Sequence, residues 1–265
     1  MYQNYNVDSM EIIKRNNLFL LEEIIKRNFS SKYKDSVIGI FWSVLKPLLI
    51  MVLLTIIFST IFGSSIKNYP VYFLSGKCIM DFFNFATTLA MDSIKGNKNI
   101  LKQTTSSKYA FVLGGVISEF LNFLITLLIL VAVMIILHSE FHLNTIMLSV
   151  IPLFSLICMI TGISLILSIL CVYYTDIKHL WNVLTVMLVY ASAIFYPMSI
   201  IPQPYYKYMI LNPIYWIIDQ FRELFIWGNI PNPLYMLNSI LLSSIILVVG
   251  IIIFKKYANK VALMF

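Results

Sequence analysis

The sequence predicts an all-α membrane protein with six transmembrane helices, an N-terminal amphipathic interface helix and short re-entrant outer helices between the fifth and sixth spans. Three observations predict it. Apolar stretches cover residues 37–62, 69–91, 109–137, 146–174, 180–200 and 234–254, and a helix needs roughly 20 apolar residues to cross a hydrocarbon core of about 30 Å. The chain is 60% hydrophobic and 12% charged, where a soluble domain carries about 25% charged residues. With the N-terminus cytoplasmic, 14 Lys and Arg fall in cytoplasmic segments, and Lys67, Lys207 and Arg222 fall in outer loops. Cytoplasmic loops retain positive charge, so the bias places both termini inside a multi-pass protein of the cytoplasmic membrane. The stretches are too long for barrel strands and do not alternate. Three regions follow: a cytoplasmic segment over 1–36, a transmembrane domain over 37–254 and a cytoplasmic tail over 255–265.

Ahead of the first span, Asp8 or Ser9 can cap a helix, with Glu11 in capping-box spacing to Asp8. Met10, Ile13, Leu18, Leu20, Leu21, Ile24 and Ile25 share one broad arc at 100° per residue, a pattern broken by Ile12 and Phe19 and by Lys14, Asn17 and Asn28 on the apolar side. Glu22, Glu23, Lys26 and Arg27 fall opposite. Such a helix is too charged to insert and should lie in the interface, as a plain anchor or as a lever touching a cytoplasmic partner.

Four charges sit inside spans, where charge is expensive and turns toward protein or a water path. Lys46 lies nine residues into the first span and Glu119 ten into the third, so both stand about 14–15 Å deep and a cross-span pair is expected. Lys77 and Asp81 are four apart and share a helix face. These charges either pair within the bundle or border a substrate path. Pro47 is expected to kink the first span.

The connection over 201–233 is too apolar for a plain outer loop. Asn212 reads as an N-cap, Pro213 as the first helical residue and Gly228 as the residue after the end. The fourteen residues 214–227 would make a helix of about 21 Å, too short to cross. A half-inserted helix or an interfacial aromatic belt both fit. Asp219 can share the face of Arg222.

No phosphate-binding loop is present: Gly76-Lys77 lacks the upstream glycine and the following Ser or Thr. No paired acidic motif, HExxH or Ser/His/Asp arrangement is visible. Cys78, Cys158 and Cys171 lack paired spacing and read as buried thiols. The +7 net charge reads as topology and contact with anionic headgroups, with no nucleic-acid partner.

The chain resembles, over nearly its whole length, the membrane subunit of ATP-binding cassette exporters for polysaccharides, the permeases of O-antigen, teichoic acid and capsule export. The resemblance rests on residues 32–42 followed by Leu45-Lys46-Pro47-Leu48, on Ser75-Gly76 and Phe82-Phe83, and on Phe195-Tyr196-Pro197, Leu211-Asn212-Pro213 and Phe221-Arg222. Where the family has an aromatic residue, a proline and an arginine, this chain has Met80, Ala193 and Thr175.

The resemblance implies a transport subunit without an ATPase site of its own. Two copies would pair with two ATP-binding cassette subunits, and ATP and Mg would bind there. The substrate would be a polyprenyl-linked glycan entering from the inner leaflet. Residues 96–107 would couple to the ATPase through Gly96, Lys98, Asn99, Lys102 and Gln103, with Asp176 in the next cytoplasmic turn. Asn212, Pro213 and Arg222 would belong to the exit gate. Phe58, Phe62, Tyr72, Phe82 and Phe83 cluster toward the outer half of the first two spans; they would stack on sugars, or else face lipid and anchor the interface. A drug or lipid exporter of the same fold is an alternative. An ion-coupled secondary transporter would favour internal repeats and embedded ion sites, which the sequence does not show.

Overall fold

A computed structural model of the chain describes residues 2–32, 39, 41–62, 66, 68–103 and 107–263, and side chains from Asn17 onward except at 33–38, 40, 59–65, 67, 102–106, 259 and 262–265. All regular structure among these residues is helical. The helices are α1 (Tyr2–Ser31), α2 (Phe41–Phe62), α3 (Tyr69–Gly96), α4 (Lys98–Gln103), α5 (Tyr109–Ile136), α6 (Leu143–Ile146), α7 (Val150–Tyr173), α8 (Ile177–Ala191), α9 (Gln203–Ile210), α10 (Pro213–Arg222) and α11 (Pro233–Leu263). Four segments are long and apolar enough to cross a membrane: α2, α5, the run from α6 through α7, and α11. The 28 residues of α3 reach about 42 Å, but Lys77, Asp81, Asp92 and Lys95 interrupt their apolar character.

The core is a layer of α3, α5, α7 and α11, in which α3 packs on α5 and α7, and α7 on α11. Small residues set the closest crossing. A Cβ at Gly162 would stand 2.6 Å from the Ile246 carbonyl oxygen, so the two backbones meet where lipid-embedded helices gain most from van der Waals contact. Helices α2 and α8 are peripheral. The apolar window of α2 buries none of its residues, and α8 exposes Val183, Val186, Met187 and Tyr190.

Three sequence expectations change. The fifth apolar stretch, 180–200, is not one helix. Helix α8 stops at Ala191, Ala193 takes φ of 49° and Pro197 is extended. The fifteen residues of α8 reach only about 22 Å. Hydropathy misses the break because Ala193, Ile194, Phe195 and Tyr196 are as apolar as a span interior. The helix over 214–227 is also two pieces: α-helical to Arg222, then a π-turn over Glu223–Trp227 that ends on Gly228 at φ 69°. A glycine takes that left-handed conformation without the Cβ penalty.

The third change concerns α1, which packs lengthwise on α5. Asn17 Oδ1 accepts from the Ser107 amide at 2.9 Å, and Asn28 Nδ2 donates to Ser118 Oγ at 3.5 Å. Between these, Ile24 is buried against Gly114, where a Cβ would come within 2.6 Å of it. Glu22, Glu23, Lys26 and Arg27 stay exposed on the opposite face. Met10 and Ile13 lie outside the described side chains. Of the 28 residues of α5, about 20 suffice to cross. The charged flank of α1 therefore marks the first turns of α5 as lying outside the hydrocarbon. Glu119 stands 17 residues before Ile136, about 26 Å from that end.

Candidate functional site

The most constrained polar cluster lies at the α10 end of the bundle. It begins with Asn212, whose Oδ1 accepts from the Ile214 amide at 3.0 Å and caps α10. Its Nδ2 donates to the Ala191 carbonyl at 3.1 Å and to Ser192 Oγ at 2.8 Å. One side chain thus ends α8 and starts α10. Pro213 at the first helical position lacks an amide hydrogen that would have had no helical partner. Ile214, Ile217, Ile218 and Phe221 bury the inner face of α10. Gln220 ties it to α11, donating to the Tyr235 carbonyl at 3.1 Å and accepting from Ser239 Oγ at 3.1 Å.

Arg222, in the last turn of α10, is 2% exposed. Its Nε donates to Ser75 Oγ at 3.2 Å, and Nη1 donates to the Ala193 carbonyl at 3.0 Å. Nη2 donates to the carbonyls of Tyr72 at 3.0 Å and Ile194 at 3.5 Å. The guanidinium lies 3.5 Å from the centroid of the Tyr72 ring, the geometry of a cation–π contact. Gly76 makes the space, because a Cβ there would stand 2.6 Å from Nη2.

The tyrosines of α3 complete the arrangement. Tyr72 donates to the carbonyls of Ala193 at 2.9 Å and Tyr196 at 2.8 Å, and Tyr69 donates to Phe195 at 3.0 Å. Four consecutive carbonyls, 193 to 196, are thus satisfied by side chains of α3 and α10. Unpaired backbone in a lipid environment costs several kcal/mol per group, so these donors are what permits α8 to break there. The hydrogen bonds of Arg222 go to carbonyls and a hydroxyl, and its charge is balanced by carbonyl dipoles and an aromatic face.

The expected path aromatics divide. Tyr72 and Phe83 are buried inside the protomer, Phe83 beside Trp181. Phe58 stacks near Tyr69 and Phe195, under the break in α8. Phe82 is buried against Phe123 and edges a cavity. The side chain of Phe62 lies outside the described residues.

That cavity, about 370 Å³, lies among α2, α3 and α5 and gathers the intramembrane charges. Lys77 and Asp81 pair, as their spacing predicts. Glu119 pairs instead with Lys32, whose Nζ donates to Oε2 at 2.7 Å and Oε1 at 2.9 Å, and the Asn122 amide adds 3.1 Å to Oε2. The expected Lys46–Glu119 pair is thus replaced. The lengthwise packing of α1 delivers Lys32 to Glu119, while Lys46 lines the same cavity without an ion pair among the described residues.

At the opposite end, Gly96 closes α3, and the Asn97 side chain donates to the Ser93 carbonyl at 2.6 Å. Helix α4 then presents Lys98 and Asn99 to solvent. The side chains of Lys102 and Gln103 lie outside the described residues. Asp176 is exposed where α8 begins, and next to it Lys178 pairs with Asp92 of α3. The hydrogen bond to Asp92 holds the Lys178 ammonium above its ordinary pKa.

Sequence reasoning missed Lys32, the Asp92–Lys178 pair and the acceptor role of residues 193–196. One signal was present: Tyr69, Tyr72 and Ser75 form a hydroxyl row at three-residue spacing on an otherwise apolar helix face.

The chain is similar to known proteins over most of its length. The ABC-2 type transporter family matches residues 20–226, from the docked half of α1 through the π-turn after Arg222. The O-antigen export system permease protein RfbA of Klebsiella pneumoniae is 27% identical over 92% of this chain and 93% of its own. The polysialic acid transport protein KpsM of Escherichia coli is 19% identical over 89% and 92%, and the O-antigen export system permease protein RfbA of Myxococcus xanthus 20% over 80% and 82%. Every element of the arginine cluster falls within the matched residues, and the chain belongs to the ABC-2 type transporter family.

Proposed function

We propose that this chain is the transmembrane subunit of an ATP-driven exporter that moves a lipid-linked polysaccharide across the cytoplasmic membrane. The carrying observation is the likeness to O-antigen export permeases over 92% of the chain. Two copies form one path and work with two separate ATP-binding cassette subunits, which hold the ATP and Mg. The α4 end faces the cytoplasm, as the positive-charge bias supports. Helix α3, and α8 together with the non-helical residues 192–197 that follow it, complete six spans, and α9 and α10 are re-entrant at the outer face. Gly96, Lys98, Asn99, Lys102, Gln103 and Asp176 form the ATPase-coupling surface. Asn212, Pro213 and Arg222 hold the outer gate. Tyr72 and Phe83 support it from within the protomer, and Phe58, Phe62 and Phe82 lie nearer the path.

The test is reconstitution in proteoliposomes with a candidate ATP-binding cassette subunit. ATP should drive a lipid-linked glycan to the opposite leaflet, and the chain alone should hydrolyse no ATP. ATP-driven movement of drugs or simple lipids without glycan would favour the related exporter class. Movement driven by an ion gradient without ATP would overturn the reading.

A further inference from the structure

The cavity among α2, α3 and α5 has a charge pattern that export alone does not explain. It holds three lysines, Lys32, Lys46 and Lys77, and two carboxylates, Asp81 and Glu119. Both carboxylates are already engaged, by Lys77 and by Lys32 with Asn122. Among the described residues, the remaining formal charge is one ammonium, that of Lys46. The rest of the wall is largely apolar, including Trp42, Ile50, Phe85 and Phe123. A cation at the edge of hydrocarbon draws in water or an anion to offset its desolvation.

Position narrows the anion. Glu119 stands about 26 Å from the far end of α5, close to the boundary of a hydrocarbon core of about 30 Å. Thr126, on the same wall, lies seven residues further in, about 10 Å deeper. The cavity therefore runs from Lys32 and Glu119 at headgroup level to the mutually paired Lys77 and Asp81 beside Thr126, with a largely apolar and aromatic wall between them. Its volume falls within the range of small-molecule pockets and suits a headgroup with the first part of a chain. We infer that this cavity binds a lipid phosphate, with Lys46 as the ammonium that meets the phosphate and the aromatic wall taking the chain. The phosphate can come from a bilayer phospholipid or from a polyprenyl diphosphate; only the second source rests on the proposed export function.

The protein in nanodiscs, exposed to photo-crosslinkable lipids, tests this. The probes are phosphatidylglycerol, a polyprenyl diphosphate, and their phosphate-free counterparts diacylglycerol and polyprenol. The phosphate-bearing probes should label peptides covering residues 41–50, 77–85 or 119–126. Labelling should fall about tenfold in Lys46→Glu, persist in Lys46→Arg and be unchanged in Lys256→Glu, a control at an exposed site. Labelling by both phosphate probes supports a general lipid-phosphate site. Phosphatidylglycerol alone makes the ligand a bilayer lipid, and the diphosphate alone makes it the carrier. Equal labelling by the phosphate-free probes overturns the inference on the unsubstituted protein, whatever happens to the variants. So does crosslinking of Ser43→Cys to a second copy with no lipid labelling. Parallel export measurements separate the two proposals. Lost export with intact phosphatidylglycerol labelling rejects the transport reading and leaves the site; intact export with no labelling rejects the site alone.

Discussion

Arg222 Nη1 meets the carbonyl oxygen of Ala193 at 3.0 Å, across 29 residues of chain. The contact joins the last turn of α10 to the break after α8, and the same guanidinium reaches the Tyr72 carbonyl on α3. Three elements are therefore held by one side chain. Removing it takes the guanidinium from the Ile194 carbonyl, a loss of about 1–3 kcal/mol if that group is left unsatisfied, and strips a second donor from the carbonyls of Ala193 and Tyr72, which keep Tyr72 Oη and Ser75 Oγ.

Arg222→Ala should accordingly lower stability by about 3 kcal/mol and the melting temperature in detergent by roughly 6–12 °C. Lys in its place should rescue only in part, because an ammonium cannot match a fork that reaches carbonyls on two elements. With the proposed gate role, glycan delivery falls while the complex with the ATPase persists. Normal melting and normal delivery by Arg222→Ala would sink both claims.

Gly76 offers a separate handle on the same contact. A methyl group there overlaps Nη2, so Gly76→Ala should displace the guanidinium and cost about 1–3 kcal/mol. Once Arg222 is alanine the overlap is gone. The two substitutions should therefore be non-additive by 1 kcal/mol or more, on the order expected for residues in contact. Additive losses in a double-mutant cycle would place the cost of Gly76→Ala elsewhere.

Much of this region was legible in the sequence as separate pieces. Asn212-Pro213 and Gly228 were readable because capping and left-handed backbone restrict residue type locally. The Lys77–Asp81 pair followed from helical spacing. What the sequence hid was convergence: Ser75-Gly76, residues 193–196 and Arg222 lie far apart in the chain and meet only through the packing of α3, α8 and α10. The end of α8 was hidden for a related reason. Its free carbonyls are satisfied by side chains of other elements, and no local signal records that. Lys46 and Glu119 do line one cavity, but the expected ion pair is replaced because the packing of α1 brings Lys32 to Glu119, a contact that no local spacing records.

Ala193 carries a further consequence. Its φ of 49° is unfavourable for a residue with a Cβ, and a proline ring locks φ near −65°. Ala193→Pro, which restores the residue seen in the resembling family, should therefore destabilise this chain unless residues 192–196 rearrange. The expected result is a lower melting temperature together with loss of the Tyr72 and Arg222 contacts to the 193 carbonyl. A proline variant as stable as the parent would show that the positive φ is dispensable.

The pairing of Lys32 with Glu119 predicts that α1 is held by charge as well as by Ile24. Glu119 is 5% exposed, so Lys32→Ala leaves a nearly buried carboxylate that keeps the Asn122 amide but loses its cation. Limited trypsin digestion should then cut faster at Lys26 and Arg27 as α1 loosens. The exchange Lys32→Glu with Glu119→Lys should restore much of the protection. Unchanged cleavage in Lys32→Ala would mean that apolar packing alone docks α1.

The Asp92–Lys178 pair supports the last prediction, at the α4 end. Both side chains are substantially exposed, 47% and 36%, so the pair should contribute no more than about 1 kcal/mol to stability and weaken in high salt. Its raised pKa means the contribution is complete below the ordinary lysine value and fades only as pH rises through the folded-state value, so nothing should change between about pH 6 and 9. The pair bridges α3 and α8 beside the surface proposed to dock the ATPase. Lys178→Ala should therefore leave melting nearly unchanged yet reduce export per ATP hydrolysed. Asn99→Cys should crosslink to the ATP-binding subunit in both parent and variant, showing that docking survives. If Lys178→Ala exported normally for each ATP consumed, the pair would be a surface contact without a part in coupling. If Asn99→Cys reacted instead with a probe added outside intact cells, the assignment of the α4 end to the cytoplasm would be reversed.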